Sequence, residues 1–188
     1  MVPLNAPNVL TVLRILLAPV VIVALLDHSA NGDLLAALVF AAASLTDALD
    51  GYLARSRDSV TTFGKLMDPL ADKLLIIAAL IALVSLNRLA AWVAMVIIAR
   101  EMAVTLMRMA ASQHGVIVAA SALGKLKTVT QVGTVIALIA VAGRPVWLEA
   151  LVYLTVAVTL LSGFDYVFGM RRRFAEAERA RSVERPIA

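Results

Sequence analysis

The chain has no cysteine among its 188 residues, only two histidines, and aromatic side chains at 5%. The missing thiol excludes disulfides, thiolate metal centres and cysteine nucleophiles together. His28 and His114 both fall in short polar stretches with no carboxylate cluster beside them, so neither reads as a metal ligand, because such sites need convergent ligands. No Ser–His pair lies in the charged region, which leaves acyl-enzyme chemistry without support. Charge is scarce too: Asp, Glu, Lys and Arg make up 16%, against about 25% in an average soluble domain. No internal repeat or low-complexity segment is visible. The N-terminal MVPLNAPNVLT lacks a basic n-region and a small-residue cleavage site, so the apolar run after it is expected to be a retained first helix and not a signal peptide.

What is present is apolar surface, with 62% hydrophobic residues and a mean hydropathy of +0.92. That composition predicts an all-α integral membrane protein, because a bilayer asks for roughly 20 apolar residues per helix. Six such segments fit, at roughly 8–26, 33–54, 67–86, 90–110, 116–142 and 146–169. They are expected to form one six-helix transmembrane domain over 1–170, followed by a basic cytoplasmic tail over 171–188. Asp27, His28, Asn31, Gly32 and Asp33 mark the first polar turn, with Asn31 and Gly32 as a breaker pair.

The net charge of +4 gains meaning from its placement. Arg55, Arg57 and Lys65 lie between segments two and three, and Arg108, Lys125 and Lys127 near the connection of four and five. Arg171, Arg172, Arg173, Arg179, Arg181 and Arg185 follow segment six, whereas the other connections hold only Arg88 and Arg144 beside Asp27, Asp33 and Glu149. The positive-inside rule then puts both termini in the cytoplasm. The basic tail reads as a topology signal attracted to anionic lipid, and nucleic acid is not an expected partner.

Against this background the stretch TDALDGYLARSRDSVTTFGKLMDPLADK stands out. Ionisable residues in a membrane span are costly and mark function by default. Asp47 and Asp50, three apart at the inner end of segment two, share one helical face, and so do Asp68 and Asp72, four apart at the start of segment three. Pro69 suits a first helical turn, which needs no intrahelical donor. Gly51 and Ala54 remove bulk beside the acids, as close approach of a ligand or of a neighbouring helix requires. With the two helices side by side, four carboxylates would form an oxygen cage at the cytoplasmic edge. Asp58, in a Ser/Thr-rich loop, reads as solvated.

Hard oxygen ligands without Cys or His select Mg²⁺, Mn²⁺ or Ca²⁺. Mg²⁺ is the usual partner of substrate phosphates, and four carboxylates can hold two ions, so a diphosphate substrate is expected. Arg55 is placed to neutralise a phosphate oxygen. Asp72 is the expected base for a hydroxyl nucleophile, which suits phosphoryl or phosphatidyl transfer to an alcohol. Farther along, Arg100 and Glu101 interrupt an apolar run, either as an intrahelical pair or with Arg100 holding an anionic substrate. Arg108 lies on about the same side of that helix, and Lys125, Lys127, Thr128 and Gln131 open segment five. Trp92, Trp147, Tyr153 and Tyr166 read as interface or packing aromatics, and Asp165 as a partner for a buried Arg or an interfacial residue.

The pattern D-x2-D-G-x2-A-R-x8-G-x3-D-x3-D, carried by Asp47, Asp50, Gly51, Ala54, Arg55, Gly64, Asp68 and Asp72, resembles the signature of CDP-alcohol phosphotransferases. The resemblance implies a usually dimeric bundle of six membrane helices. It further implies that Asp47, Asp50, Asp68 and Asp72 bind divalent metal, that Asp47, Asp50, Gly51, Ala54, Arg55 and Gly64 bind the CDP moiety, and that the last acid, Asp72, is the base. Around and beyond the signature, PNVLTVLRILLAP, DPLADKLL, IIAREMAVTLMR, GKLKTVTQ and SGFDY look like bacterial phosphatidylglycerophosphate synthases. That likeness implies transfer of the phosphatidyl group of CDP-diacylglycerol to glycerol 3-phosphate at the cytoplasmic face of a bacterial cell membrane. Arg100, Arg108, Lys125 and Lys127 would then take the acceptor phosphate. A cardiolipin synthase of the same fold, using phosphatidylglycerol, shares the first two segments. Membrane prenyltransferases lack the Gly-x2-Ala-Arg continuation, and a transporter would carry its acids near mid-membrane.

Overall fold

The computed structural model describes the backbone over residues 6–27, 29–54, 62–113 and 122–183, and side chains over 12–27, 29, 31–46, 73–113 and 122–174. Among these residues the chain is all helix: α1 (Ala6–Leu26), α2 (Ala30–Ala54), α3 (Thr62–Ser85), α4 (Ala91–Gln113), α5 (Ala122–Ala140) and α6 (Val146–Val183). The six apolar segments each became one helix, with shifted ends.

The shifts have local causes. Asn31 and Gly32 do not break the chain but sit in the first turn of α2, because Ser29 caps it: the Gly32 N–H donates to Ser29 Oγ at 2.9 Å, and the Asp33 N–H to the Ser29 carbonyl at 2.9 Å. Gly32 is there for space, since a Cβ on it would lie 2.5 Å from the Ala24 carbonyl oxygen of α1. At the other end of the chain, α6 runs through the expected tail boundary at 170. Its 38 residues span about 57 Å at 1.5 Å per residue, nearly twice a bilayer core of about 30 Å. Ala, Glu and Arg in AEAERAR are strong helix formers and sustain it past the apolar stretch.

Helix α1 packs on α2 and α3, α5 packs on α2, α3 and α6, and α4 packs on α3 and α6. Among the described residues α2 and α3 therefore meet chiefly through α1 and α5, which both of them touch. Ala36 and Ala79 are wholly buried beside Val21, Leu25 and Leu83, and such small residues let helix backbones approach closely. Polar contact adds to this between α5 and α6, where the Thr134 and Thr155 hydroxyls are 2.7 Å apart.

Outside, the molecule is inverted relative to a soluble protein: Leu16, Val23, Leu38, Leu45, Met95, Val129 and Phe164 are all exposed. Ala122–Ala140 and Val146–Phe174 are each long and apolar enough to cross a membrane, and only 33% of each apolar window is buried, so neither is a soluble core helix. Apolar faces of that extent suit a bilayer or a partner surface.

The turn between α3 and α4 shows how the end opposite the acids is closed. Asn87 takes a left-handed φ of 56°, with the Arg88 N–H donating to the Leu83 carbonyl at 2.9 Å and the Asn87 N–H to Val84 at 3.0 Å. This paired arrangement is a Schellman cap. It aims Arg88 at Asp33 of α2, which it grips with both terminal nitrogens at 2.8 and 2.7 Å, while Nη1 also donates to the Ile139 carbonyl of α5 at 3.1 Å. One guanidinium thus ties together α2, α5 and the turn between α3 and α4.

Candidate active site

A cavity of about 310 Å³ opens among all six helices. Its α2 wall is Phe40, Ala43 and Ser44, its α3 wall Lys73, Leu75 and Ile76, and the remainder comes from α1, α4, α5 and α6. Arg14, Lys73, Arg100, Arg108, Lys125 and Lys127 all line it, against a single carboxylate among the described lining residues, Glu101. Among the described residues this surplus of positive charge in a low-dielectric wall favours an anion.

Glu101 holds the cluster together. It is 2% exposed; Oε2 accepts from Lys73 Nζ at 3.0 Å, while Oε1 accepts from Lys127 Nζ and from Arg100 Nη1 at 3.3 Å. Arg100 reaches α6 as well, its Nη2 donating to Ser162 Oγ at 3.0 Å, and Ser162 in turn donates to the Thr159 carbonyl at 2.9 Å. Gly163 lies beside this approach, where a Cβ would stand 3.4 Å from Arg100 Cγ, within ordinary contact. Arg108, two turns on in α4, stacks its guanidinium 5.7 Å from the Tyr166 ring centroid, a cation–π distance. Three polar atoms on residues that line the cavity, Arg100 Nε, Gln131 Nε2 and the Tyr166 hydroxyl, are buried without a hydrogen-bond partner. Buried groups of this kind call for a ligand or water.

Of the residues singled out by sequence, Arg100, Arg108, Lys125 and Lys127 come together on this cavity, Lys127 buried and Arg108 and Lys125 exposed. Asp47, Asp50, Gly51 and Ala54 fall in the last turns of α2, and Gly64, Asp68 and Asp72 in the first turns of α3; their side chains lie outside the described residues, as does all of Arg55. His28, His114 and Asp58 also lie outside them. Asp165 is exposed, and the α6 partner of Arg100 is Ser162 instead.

Sequence reasoning missed Arg14, Lys73 and the role of Ser162, and it set Tyr166 among the packing aromatics. A signal for Arg14 was available: an arginine inside the apolar run LTVLRILLAP needs a buried partner or a ligand. Nothing local marks Ser162.

The chain matches the family CDP-alcohol phosphatidyltransferase over residues 4–161. It is 41% identical over 180 residues to the CDP-diacylglycerol–glycerol-3-phosphate 3-phosphatidyltransferase of Bacillus subtilis, covering 86% of this chain and 93% of that one. Proteins of the same name from Rickettsia felis and Salmonella choleraesuis are 35% and 36% identical, over 90% and 89% of this chain and 97% and 95% of theirs. With an apolar six-helix chain, the acid signature spanning the end of α2 and the first turns of α3, and matches over nearly the full length, this protein belongs to the CDP-alcohol phosphatidyltransferase family.

Proposed function

We propose that the chain transfers the phosphatidyl group of CDP-diacylglycerol to the primary hydroxyl of glycerol 3-phosphate, giving phosphatidylglycerophosphate and CMP. What carries this reading is one juxtaposition: cations from α1, α3, α4 and α5 line a cavity that α2 and α3, the two helices with the acids, also help to wall. Helical register extends the walls toward the motif. Positions 47, 50, 51 and 54 follow Phe40, Ala43 and Ser44 at steps of three or four, and positions 72 and 68 precede Leu75 and Ile76 in the same way. The names carried by the relatives point to the same two substrates.

Asp47, Asp50, Asp68 and Asp72 fit a hard divalent cation by donor chemistry, being carboxylates in a chain without cysteine. Mg²⁺ or Mn²⁺, two ions in all, would neutralise the diphosphate and the charge that develops on it. Gly51, Ala54 and Gly64 leave room for the CDP moiety, and Arg55 meets its phosphate. Arg100, Arg108, Lys125 and Lys127 hold the acceptor phosphate. Asp72 takes the proton from the acceptor hydroxyl as its oxygen bonds to the phosphatidyl phosphorus, and the diphosphate bridge breaks with its electron pair leaving on CMP.

The expected setting is a bacterial cell membrane, with six spans, both termini and the cavity facing the cytoplasm, and two copies forming a homodimer. Basic residues support the orientation: Arg108, Lys125 and Arg171 to Arg173 cluster toward the cavity end, while Arg88 at the far end is neutralised by Asp33.

The test offers purified protein CDP-diacylglycerol and Mg²⁺ with glycerol 3-phosphate or phosphatidylglycerol in parallel, each with a chelator control. Chelator-sensitive CMP release with phosphatidylglycerophosphate as product is expected from the first acceptor. Cardiolipin from the second would transfer the function to the alternative acceptor, and no CMP from either would overturn the reaction.

A further inference from the structure

Glu101 is the one carboxylate among the described residues that line the cavity, and three cations from three helices converge on it. Among the described residues, three positive charges surround this one negative charge. The donors of Lys127 and Arg100 are only partly used. Lys127 meets Glu101 with one of three N–H groups; Arg100 gives one to Glu101 and one to Ser162, leaving Nε buried without an acceptor. Gln131 Nε2 and the Tyr166 hydroxyl stand in the same condition.

We infer that Glu101 is a positioning residue for the acceptor site: its carboxylate holds Lys73, Lys127 and Arg100 in fixed places around a phosphate-monoester subsite and offsets part of their charge, so that ligands are selected by shape as well as by charge. This role deepens the proposed glycerol 3-phosphate reading and rests on it. Preorganised donors give affinity because the ordering cost is met before the ligand arrives. Lys73 directly follows the proposed base Asp72 in the chain. The ion pair at 3.0 Å therefore also links the acceptor pocket to the middle of α3, beside that residue.

Two effects oppose each other when Glu101 becomes Gln. The pocket gains positive charge, which favours any anion, but the amide turns a donor toward a cation, so the cluster loses its order. A ligand held at several points loses more than a small ion does. In calorimetric titrations of the full-length, detergent-purified chain, Glu101→Gln is expected to weaken glycerol 3-phosphate about tenfold or more. Inorganic phosphate is expected to bind as before or more tightly, and CMP to bind unchanged. Glu101→Asp keeps the charge and withdraws it by one methylene, so it too should lower the preference for glycerol 3-phosphate over phosphate.

An unchanged preference in Glu101→Asp would overturn the role, as would parallel weakening of both anions in Glu101→Gln. If the Gln variant fails to fold, the Asp variant decides. Wild-type CMP release is scored separately: absent turnover with intact selectivity defeats the proposed reaction and leaves the role of Glu101 standing.

Discussion

Gly163 and Arg100 show how closely α4 and α6 pass at this site. The α6 backbone is bare where Arg100 passes, with an imagined Cβ at 3.4 Å from its Cγ, the edge of ordinary contact. Gly163→Ala should therefore be tolerated, whereas Gly163→Leu should push the guanidinium off Ser162 and raise the KM for glycerol 3-phosphate with little change in that for CDP-diacylglycerol. Steady-state kinetics with each substrate varied in turn would separate these outcomes. Asp72 gives the sharper test: Asp72→Asn keeps size and loses basicity, so CMP release should fall by about 10²–10⁴-fold while CDP binding persists. Full turnover in a folded, CDP-binding variant would remove Asp72 from the role of base. The two cases differ in how far they could be read in advance. Asp72 is marked by its spacing from three other acids within 26 residues of chain, but Gly163 is marked only by a contact made across 62 residues between Arg100 and α6.

Among the elements, the α3–α4 turn is the most exacting, since Asn87 must hold a left-handed φ of 56° for Arg88 to reach Asp33. Asn87→Gly should change stability by no more than a few tenths of a kcal/mol, because glycine adopts this conformation freely. Asn87→Val should cost about 1–2 kcal/mol, the left-handed penalty for a side chain with a crowded Cβ. Unfolding in mixed detergent would measure both. Elsewhere periodicity and length sufficed to find the elements, and their ends were the difficulty. Asn31 and Gly32 look like a break because both are common in turns, yet a serine cap upstream and a close approach to α1 put them inside α2. The tail likewise reads as a separate segment by charge, although its residues favour a continuous helix.

At the scale of the whole molecule, charge asymmetry and the cavity's place in the bundle lead to one expectation about orientation. The chain has no cysteine, so single cysteines can be introduced without background. Glu149→Cys at the start of α6 and Arg172→Cys beyond its apolar stretch are both at exposed positions. In sealed cells an impermeant maleimide should label the first, and the second should react only after the membrane is opened. Reversed labelling would invert the proposed topology and put the cavity on the outer face.

Sequence by itself determined what depends on composition and on neighbours a turn or so apart: an apolar helical chain, six segments, acids paired on helix faces, and a family signature from Asp47 to Asp72. The first three follow from hydropathy and from a helical repeat of 3.6 residues, which act locally, and the signature is a likeness carried by residue identities at fixed spacing. Only the tertiary structure decided which side chains share a cavity. Glu101 joins Lys73 and Lys127 from two other helices, Arg100 meets Ser162, and Arg14 enters from the first helix. Those pairings arise from how α4 packs on α3 and α6 and how α1 and α5 pack against their neighbours, a property of surfaces brought together over long stretches of chain, and no spacing within one segment encodes it.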